Sequence, residues 1–242
     1  MKQPPRSRII SPMAELDGLF LDFYGTLVGG DREAVESVCR RIVQQYSLPI
    51  TPEQLGIDWG KGYFALSEVC NNGHFRTLYQ IECDSLVDTM RPLVGHDIDP
   101  APFVAGLTKW LRSPPVFEET HEVLAELRRR GVPVCLVSNA DHADLLAALD
   151  VRGIRVDHVV TSESARSYKP DVTIFRQALS LTGWDAARVL HVGDSLHSDV
   201  GGARAAGLKA VWICRSVRIS DIGTAEPDWR IDDLRGLLDL VR

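Results

Sequence analysis

"LFLDFYGTLVGG", residues 19–30, begins as an apolar run, stops at an acid, Asp22, and turns through Gly25 and Thr26. A run of this kind reads as a buried strand. An acid at its carboxyl end stands where open parallel sheets collect their ligands. Similar runs recur after Gly131, over 132–138, 156–162, 188–194 and 209–215. Helical patterns alternate with them over 143–150, 171–183, 198–207 and 231–241, with Asp171 as an N-cap and Gly183 just past a helix end. Alternation of this kind means βα units and a parallel sheet wrapped by helices. Residues 31–110 differ. Their patterns are helical over 31–46, 52–70, 74–91 and 100–112, with almost no strand signal. The expected fold is therefore α/β, a three-layer, Rossmann-like parallel-sheet core with an all-helical insert after the first strand. The core is assigned to 1–29 and 116–242 and the insert to 30–115, with "RSPPVFEET" (112–120) as a proline-stiffened return.

Composition narrows the function classes. The chain has 242 residues, enough to bury a sizeable core, and 25% of them are charged. Its net charge of −6 argues against a general affinity for nucleic acid. No apolar run approaches the ~20 residues of a membrane span. The five cysteines are scattered, with no CxxC pair, and read as reduced thiols of a cytoplasmic protein. "MKQPPRSRIISPM" (1–13) lacks the apolar stretch of a signal peptide and reads as a frayed arm, with Met13 as an alternative start. The expected partner is a small-molecule substrate, and the oligomeric state stays open.

The strand ends carry the chemistry. After the first strand come Asp22, Tyr24 and Thr26; after the second, Ser138 and Asn139. "SYKPD" with Lys169 follows the third, and "GDSLHSD" with Asp194 and Asp199 the fourth. Each alone is as well explained by a helix cap or a turn. Together, in the order Asp22-x-x-x-Thr26, Ser138, Lys169, Gly193-Asp194-x-x-x-x-Asp199, they resemble the haloacid dehalogenase superfamily over almost the whole chain. The helical insert falls where that family carries its cap. The resemblance implies that Asp22 is a nucleophile and that Lys169 neutralises charge around it. It implies that Thr26, Ser138 and Asn139 bind the anionic substrate. It also implies that Mg²⁺ is held by Asp22, Asp194, Asp199 and the backbone carbonyl of Tyr24.

Tyr24 departs from the pattern. The family's phosphatases place a second Asp there as general acid and base. A tyrosine, with an unperturbed pKa near ~10, serves poorly at neutral pH. Its main-chain carbonyl, however, is unaffected by the substitution. Asp-x-Tyr-Gly-Thr is also how the family's metal-independent 2-haloacid dehalogenases begin. Against that reading, those enzymes carry neutral residues where this chain has Asp194. They also use an early cap Arg, whereas "IDWGKGYF" (57–64) offers only Lys61. The expectation is thus a Mg²⁺-dependent phosphatase acting through an aspartyl-phosphate. A 2-haloacid dehalogenase and a slow or inactive binder stay open as alternatives.

Lesser candidates complete the reading. His197 and His142 could replace the missing acid, or be solvated loop residues. His191, inside a strand, reads as a hydrogen-bonded core residue. "CNNGHFRT" (70–77) could bring Asn71, Asn72, His74 and Arg76 over the site, or be a plain exposed turn. "RRR" (128–130) complements a helix dipole. "GGARAAG" (201–207) and "GIDWGKG" (56–62) match no nucleotide-binding spacing.

Overall fold

The computed structural model describes residues 16–71, 73–215 and 225–241. The N-terminal arm, Met13 and Asn72 lie outside the described residues. Six parallel strands form one sheet: β1 (Gly18–Leu21), β2 (Val134–Ser138), β3 (His158–Thr161), β4 (Val189–Gly193), β5 (Lys209–Ile213) and β6 (Trp229–Ile231), in the order β3-β2-β1-β4-β5-β6. β1 thus lies between β2 and β4, with Phe20 paired to Cys135 on one side and to His191 on the other. The chain winds outward from β1 in both directions, and the crevice of such a sheet opens at the carboxyl ends of these central strands.

Strand alternation sorts the core into two faces. Leu19, Leu21, Leu136, Leu190 and Val192 point to one side. There they meet α5 (Thr120–Arg129) and α6 (His142–Arg152), whose Leu124, Leu127, Leu145 and Ala148 are buried. Phe20, Cys135, Val137 and Val189 point to the other side. They meet Ile174, Phe175 and Ala178 of α8 (Val172–Thr182) and Ala203 of the short α9 (Gly202–Ala205). The core is therefore three-layered. Asp171 caps α8 by accepting from the Thr173 N–H, and Gly183 ends it in the left-handed conformation.

Between β1 and α5 run four helices: α1 (Asp31–Tyr46), α2 (Pro52–Cys70), α3 (Leu78–Val94) and α4 (Ala101–Leu111). They bury an apolar cluster of their own, including Ile42, Leu55, Trp59, Leu86, Met90, Phe103 and Leu107. The chain enters and leaves this bundle side by side. The Gly29 N–H donates to the Pro115 carbonyl at 2.9 Å, and Val28 bridges Val116 in antiparallel fashion.

Four expected elements change form or bounds. The helix expected from residue 74 starts at Leu78, because Thr77 and Gln80 build a reciprocal capping box there. The helix expected over 231–241 is instead strand β6 followed by a 3₁₀ turn, Leu234–Asp239. Leu234, Leu237 and Leu240 are buried at a spacing of three, which suits a three-residue turn. Gly236 lets this turn close on β6, since a Cβ there would stand 2.9 Å from Ile231. The helix expected over 198–207 begins as a π-helix, Leu196–Gly201, and becomes α-helical only at Gly202. β3 also stops early, and Thr161 caps a single turn, α7 (Ser162–Ala165).

Candidate active site

The first four strand ends deliver Asp22, Ser138, Lys169 and Asp199 to one buried cluster. The Lys169 ammonium lies 2.7 Å from Asp22 Oδ1 and 2.6 Å from Asp199 Oδ1. Ser138 Oγ donates to Asp22 Oδ1 at 3.1 Å, and Thr26 Oγ1 donates to Asp22 Oδ2 at 3.3 Å. Asp22, Lys169 and Asp199 are each at most 5% exposed. At that burial a charge is tolerated only with partners. Burial alone would push the Lys169 ammonium down, but Asp199 and Asp22 outweigh it and hold the amine above the ordinary lysine range. Burial likewise opposes ionisation of Asp199. Lys169 and His191 outweigh it and hold the acid well below the usual carboxylate range.

The π-helix places Asp199. Both the Asp199 and Val200 N–H groups donate to the Ser195 carbonyl at 3.1 Å, and the widened turn folds the Asp199 side chain back over its own loop. Its Oδ2 accepts the Ser195 N–H at 3.1 Å. Gly193 makes this possible, because a Cβ there would stand 2.1 Å from Asp199 Cγ. π-Turns of this kind gather at functional sites.

One carboxylate oxygen each from Asp22, Asp194 and Asp199 lies within 4.8 Å of the others. The donors are all hard oxygens, which suits a small divalent cation such as Mg²⁺. The Asp194 main chain is fixed from β5, where Trp212 Nε1 donates to its carbonyl at 3.0 Å.

The remaining sequence candidates behave differently. Asn139 spends both ends of its amide on the Lys169 main chain, accepting from the N–H at 2.8 Å and donating to the carbonyl at 3.2 Å. The Tyr24 hydroxyl donates to the carbonyl of Leu111, at the end of α4, at 2.9 Å. Its ring packs against Trp110 and Phe23. Burial, with Asp144 and Asp22 adding to it, pushes this phenol far above the tyrosine range. Asn71 is bound to the main chain of Tyr168, beside Lys169, at 2.7 and 3.1 Å. His74 is exposed and Arg76 pairs with Asp84 at 2.8 Å. His197 Nε2 lies 3.2 Å from Glu68 of α2, and His142 Nδ1 lies 3.4 Å from Thr161 Oγ1.

Several supporting residues carried no sequence signal. Asp141, placed to cap α6, instead accepts the Leu78 and Tyr79 N–H groups of α3 at 2.6 and 3.0 Å. Tyr168 donates its hydroxyl to the Arg76 carbonyl at 2.9 Å and stacks on Phe75. Arg215 donates to the Thr26 carbonyl at 2.9 Å, pairs with buried Glu119 and covers the Phe117 ring. Only the aromatic and charged residues beside the motifs could have hinted at these roles, because their partners are distant in sequence.

A carboxylate paired with a buried lysine thus stands at the end of a central strand of a doubly wound parallel sheet. A model of the haloacid dehalogenase-like hydrolases matches residues 16–207, and the chain belongs to that family. It is 28% identical to an (S)-2-haloacid dehalogenase of Pseudomonas sp. (strain YL), over 94% of this chain and 95% of that protein. It is 39% identical to a phosphoserine phosphatase of Thermus thermophilus, over 50% of this chain and 49% of that protein. The fold superposes on the crystal structure of a dehalogenase with a TM-score of 0.75 at 22% identity, covering 95% of this chain and 98% of that one. No described helix is long and apolar enough to cross a membrane, and all five cysteines are free thiols.

Proposed function

We propose that the chain is a Mg²⁺-dependent phosphatase of small phosphate esters that works through an aspartyl-phosphate on Asp22. The observation that carries the reading is the convergence of Asp22, Asp194 and Asp199. A halide displacement needs no such set, because the carboxylate then attacks carbon and there are no phosphoryl oxygens for a cation to neutralise. Bound there, the cation would be held by these carboxylates and the Tyr24 carbonyl, and would supply Lewis-acid stabilisation of the phosphoryl oxygens.

The chain's own residues do the rest. An Asp22 carboxylate oxygen attacks phosphorus, the P–O bond to the alcohol breaks, and the phosphoryl group becomes an acyl phosphate on Asp22. The alcohol leaves as its oxyanion and takes a proton from solvent. Water then attacks phosphorus, its proton passing to the phosphate that is released, and the Asp22 carboxylate is restored. Lys169 offsets the charge of the incoming phosphate, while Thr26 and Ser138 hold oxygens at the nucleophile. Asn139 serves by fixing the Lys169 main chain. Asp199 holds the lysine. Tyr24, with its hydroxyl on Leu111, donates no proton to the leaving alcohol, so substrates with acidic leaving groups are turned over best. We take 30–115 as a cap that selects the substrate and 1–29 with 116–242 as the catalytic core.

A dehalogenase reading has its own support in the Tyr24 opening and in the near full-length similarity to the Pseudomonas enzyme. One paired assay separates the two. The phosphatase releases phosphate from an aryl phosphate with Mg²⁺, is silenced by chelator and releases no halide. Chelator-insensitive chloride release from 2-chloropropionate, without phosphate release, overturns the proposal.

A further inference from the structure

His191 lies in the middle of β4, 0% exposed, on the face of the sheet opposite α5 and α6. Its ring sits edge-on against Phe175, with centroids 5.0 Å apart. Nε2 lies 3.0 Å from Asp199 Oδ1, the same oxygen that holds the Lys169 ammonium at 2.6 Å. Nδ1 is buried with no partner among the described residues. An acidic oxygen calls for a donor, and a buried N–H without a partner costs more than a bare lone pair in an aromatic pocket. The hydrogen therefore belongs on Nε2, with the lone pair on Nδ1 facing the apolar layer. A second contact, from the Ser195 N–H, holds the other Asp199 oxygen. Without the His191 donor, Oδ1 keeps only the Lys169 ammonium, which Asp22 also pulls, and the Ser195 N–H is left as the main-chain restraint on rotation about the Cβ–Cγ bond.

We infer that His191 is a positioning residue of the hydrolytic site. Through Nε2–H it fixes the Asp199 carboxylate, which in turn fixes the Lys169 ammonium against the nucleophile Asp22. An apolar residue would fill this strand position more cheaply, since a buried imidazole with one orphan nitrogen is a net cost to folding. The inference rests on Asp22 being the nucleophile, and holds whether the group displaced is an alcohol or a halide.

The test compares His191→Phe, which keeps the ring and removes the donor, with His191→Gln, whose side-chain N–H₂ reaches the place of Nε2. His191→Phe is expected to lower kcat on the order of 10–100-fold, the usual scale for an orienting partner behind a site ligand. KM should stay within about twofold, and His191→Gln should restore most of the loss. If His191→Phe does not fold, His191→Met, which also lacks the donor, replaces it. Crystal structures of the same proteins read the Asp199–Lys169 contact directly. It should persist in the wild type and His191→Gln and be lost in His191→Phe. Wild-type kcat with the contact retained in His191→Phe overturns the inference, as does an equal loss in the Phe and Gln variants. A wild type that releases neither phosphate nor halide defeats the reading of function. The crystallographic contact then still decides the positioning role by itself.

Discussion

Charges behave differently in the two halves of this molecule. At the strand ends, Lys169, Asp22 and Asp199 form ion pairs with side chains 2–7% exposed, and each carboxylate oxygen accepts from at least one donor. In the helical bundle the pairs lie on the outside. Arg76 and Asp84 are both 48% exposed, and Lys61 with Asp58 is 67% and 41% exposed. Exposed pairs are screened and contribute about 0–1 kcal/mol, whereas removing one member of a buried pair costs about 3–5 kcal/mol. The core thus accepts charges that are expensive to hold and fixes each against its partners. The bundle carries charges that can be exchanged at little cost to folding.

Variants can break or sharpen this contrast. The largest effect is expected from Asp22→Asn, which should abolish phosphate release, a loss on the order of 10⁴-fold or more for a missing nucleophile. Retained turnover would place the chemistry elsewhere. Tyr24→Asp restores an acid beside the nucleophile and should raise turnover on alkyl phosphates by roughly 10²-fold. The gain should be smaller on aryl phosphates, whose leaving groups need no proton. An equal gain on both would mean that Tyr24 limits something other than protonation.

Stability follows in the same direction. Lys169→Met leaves Asp22 and Asp199 facing each other inside the core and should cost about 3–5 kcal/mol in urea unfolding. Arg76→Met, in the bundle, should fall within about 0.5 kcal/mol of wild type. Similar costs for the two would erase the distinction between the regions.

A last effect, read from pH rather than from a lost partner, concerns the seam. Glu82 of α3 faces Val104, Leu107, Leu111, Asp141 and Asp144, and burial, reinforced by Asp141, pushes its carboxyl up to about 8. A carboxyl raised in this way supports the fold while protonated. Its contribution is complete below the ordinary glutamate range and is lost as pH rises through about 8. The melting temperature should therefore fall between about pH 5 and 8, and Glu82→Gln should flatten that slope. An unchanged slope in the variant would show that Glu82 is solvated in the folded protein.

Much of this architecture was legible in the residues. β2 and β4 announced themselves because strands buried on both faces read as largely apolar runs, interrupted in β4 only by His191. α1 and α2 have the bounds their periodicity gave, since Thr51 and Pro52 mark one start by local chemistry alone. The C-terminal 3₁₀ turn was not legible. A spacing of three is shared by two helix types, and packing against Ile231 chose between them. Asp22, Ser138, Lys169 and Asp199 could be nominated because each follows a strand. Asn139 could not be assigned to the Lys169 main chain from spacing, because that contact joins positions thirty residues apart. Asp141 was equally silent, as its carboxylate serves a helix from another part of the chain.

The paired crossing at Gly29–Pro115 has a further consequence. Since both ends of the bundle attach at one point on the sheet, its length and helix count place no demand on the spacing between β1 and β2. The insert can therefore lengthen, shorten or tilt, as one swaps a tool head on a fixed shaft, while Asp22 and Lys169 stay where they are.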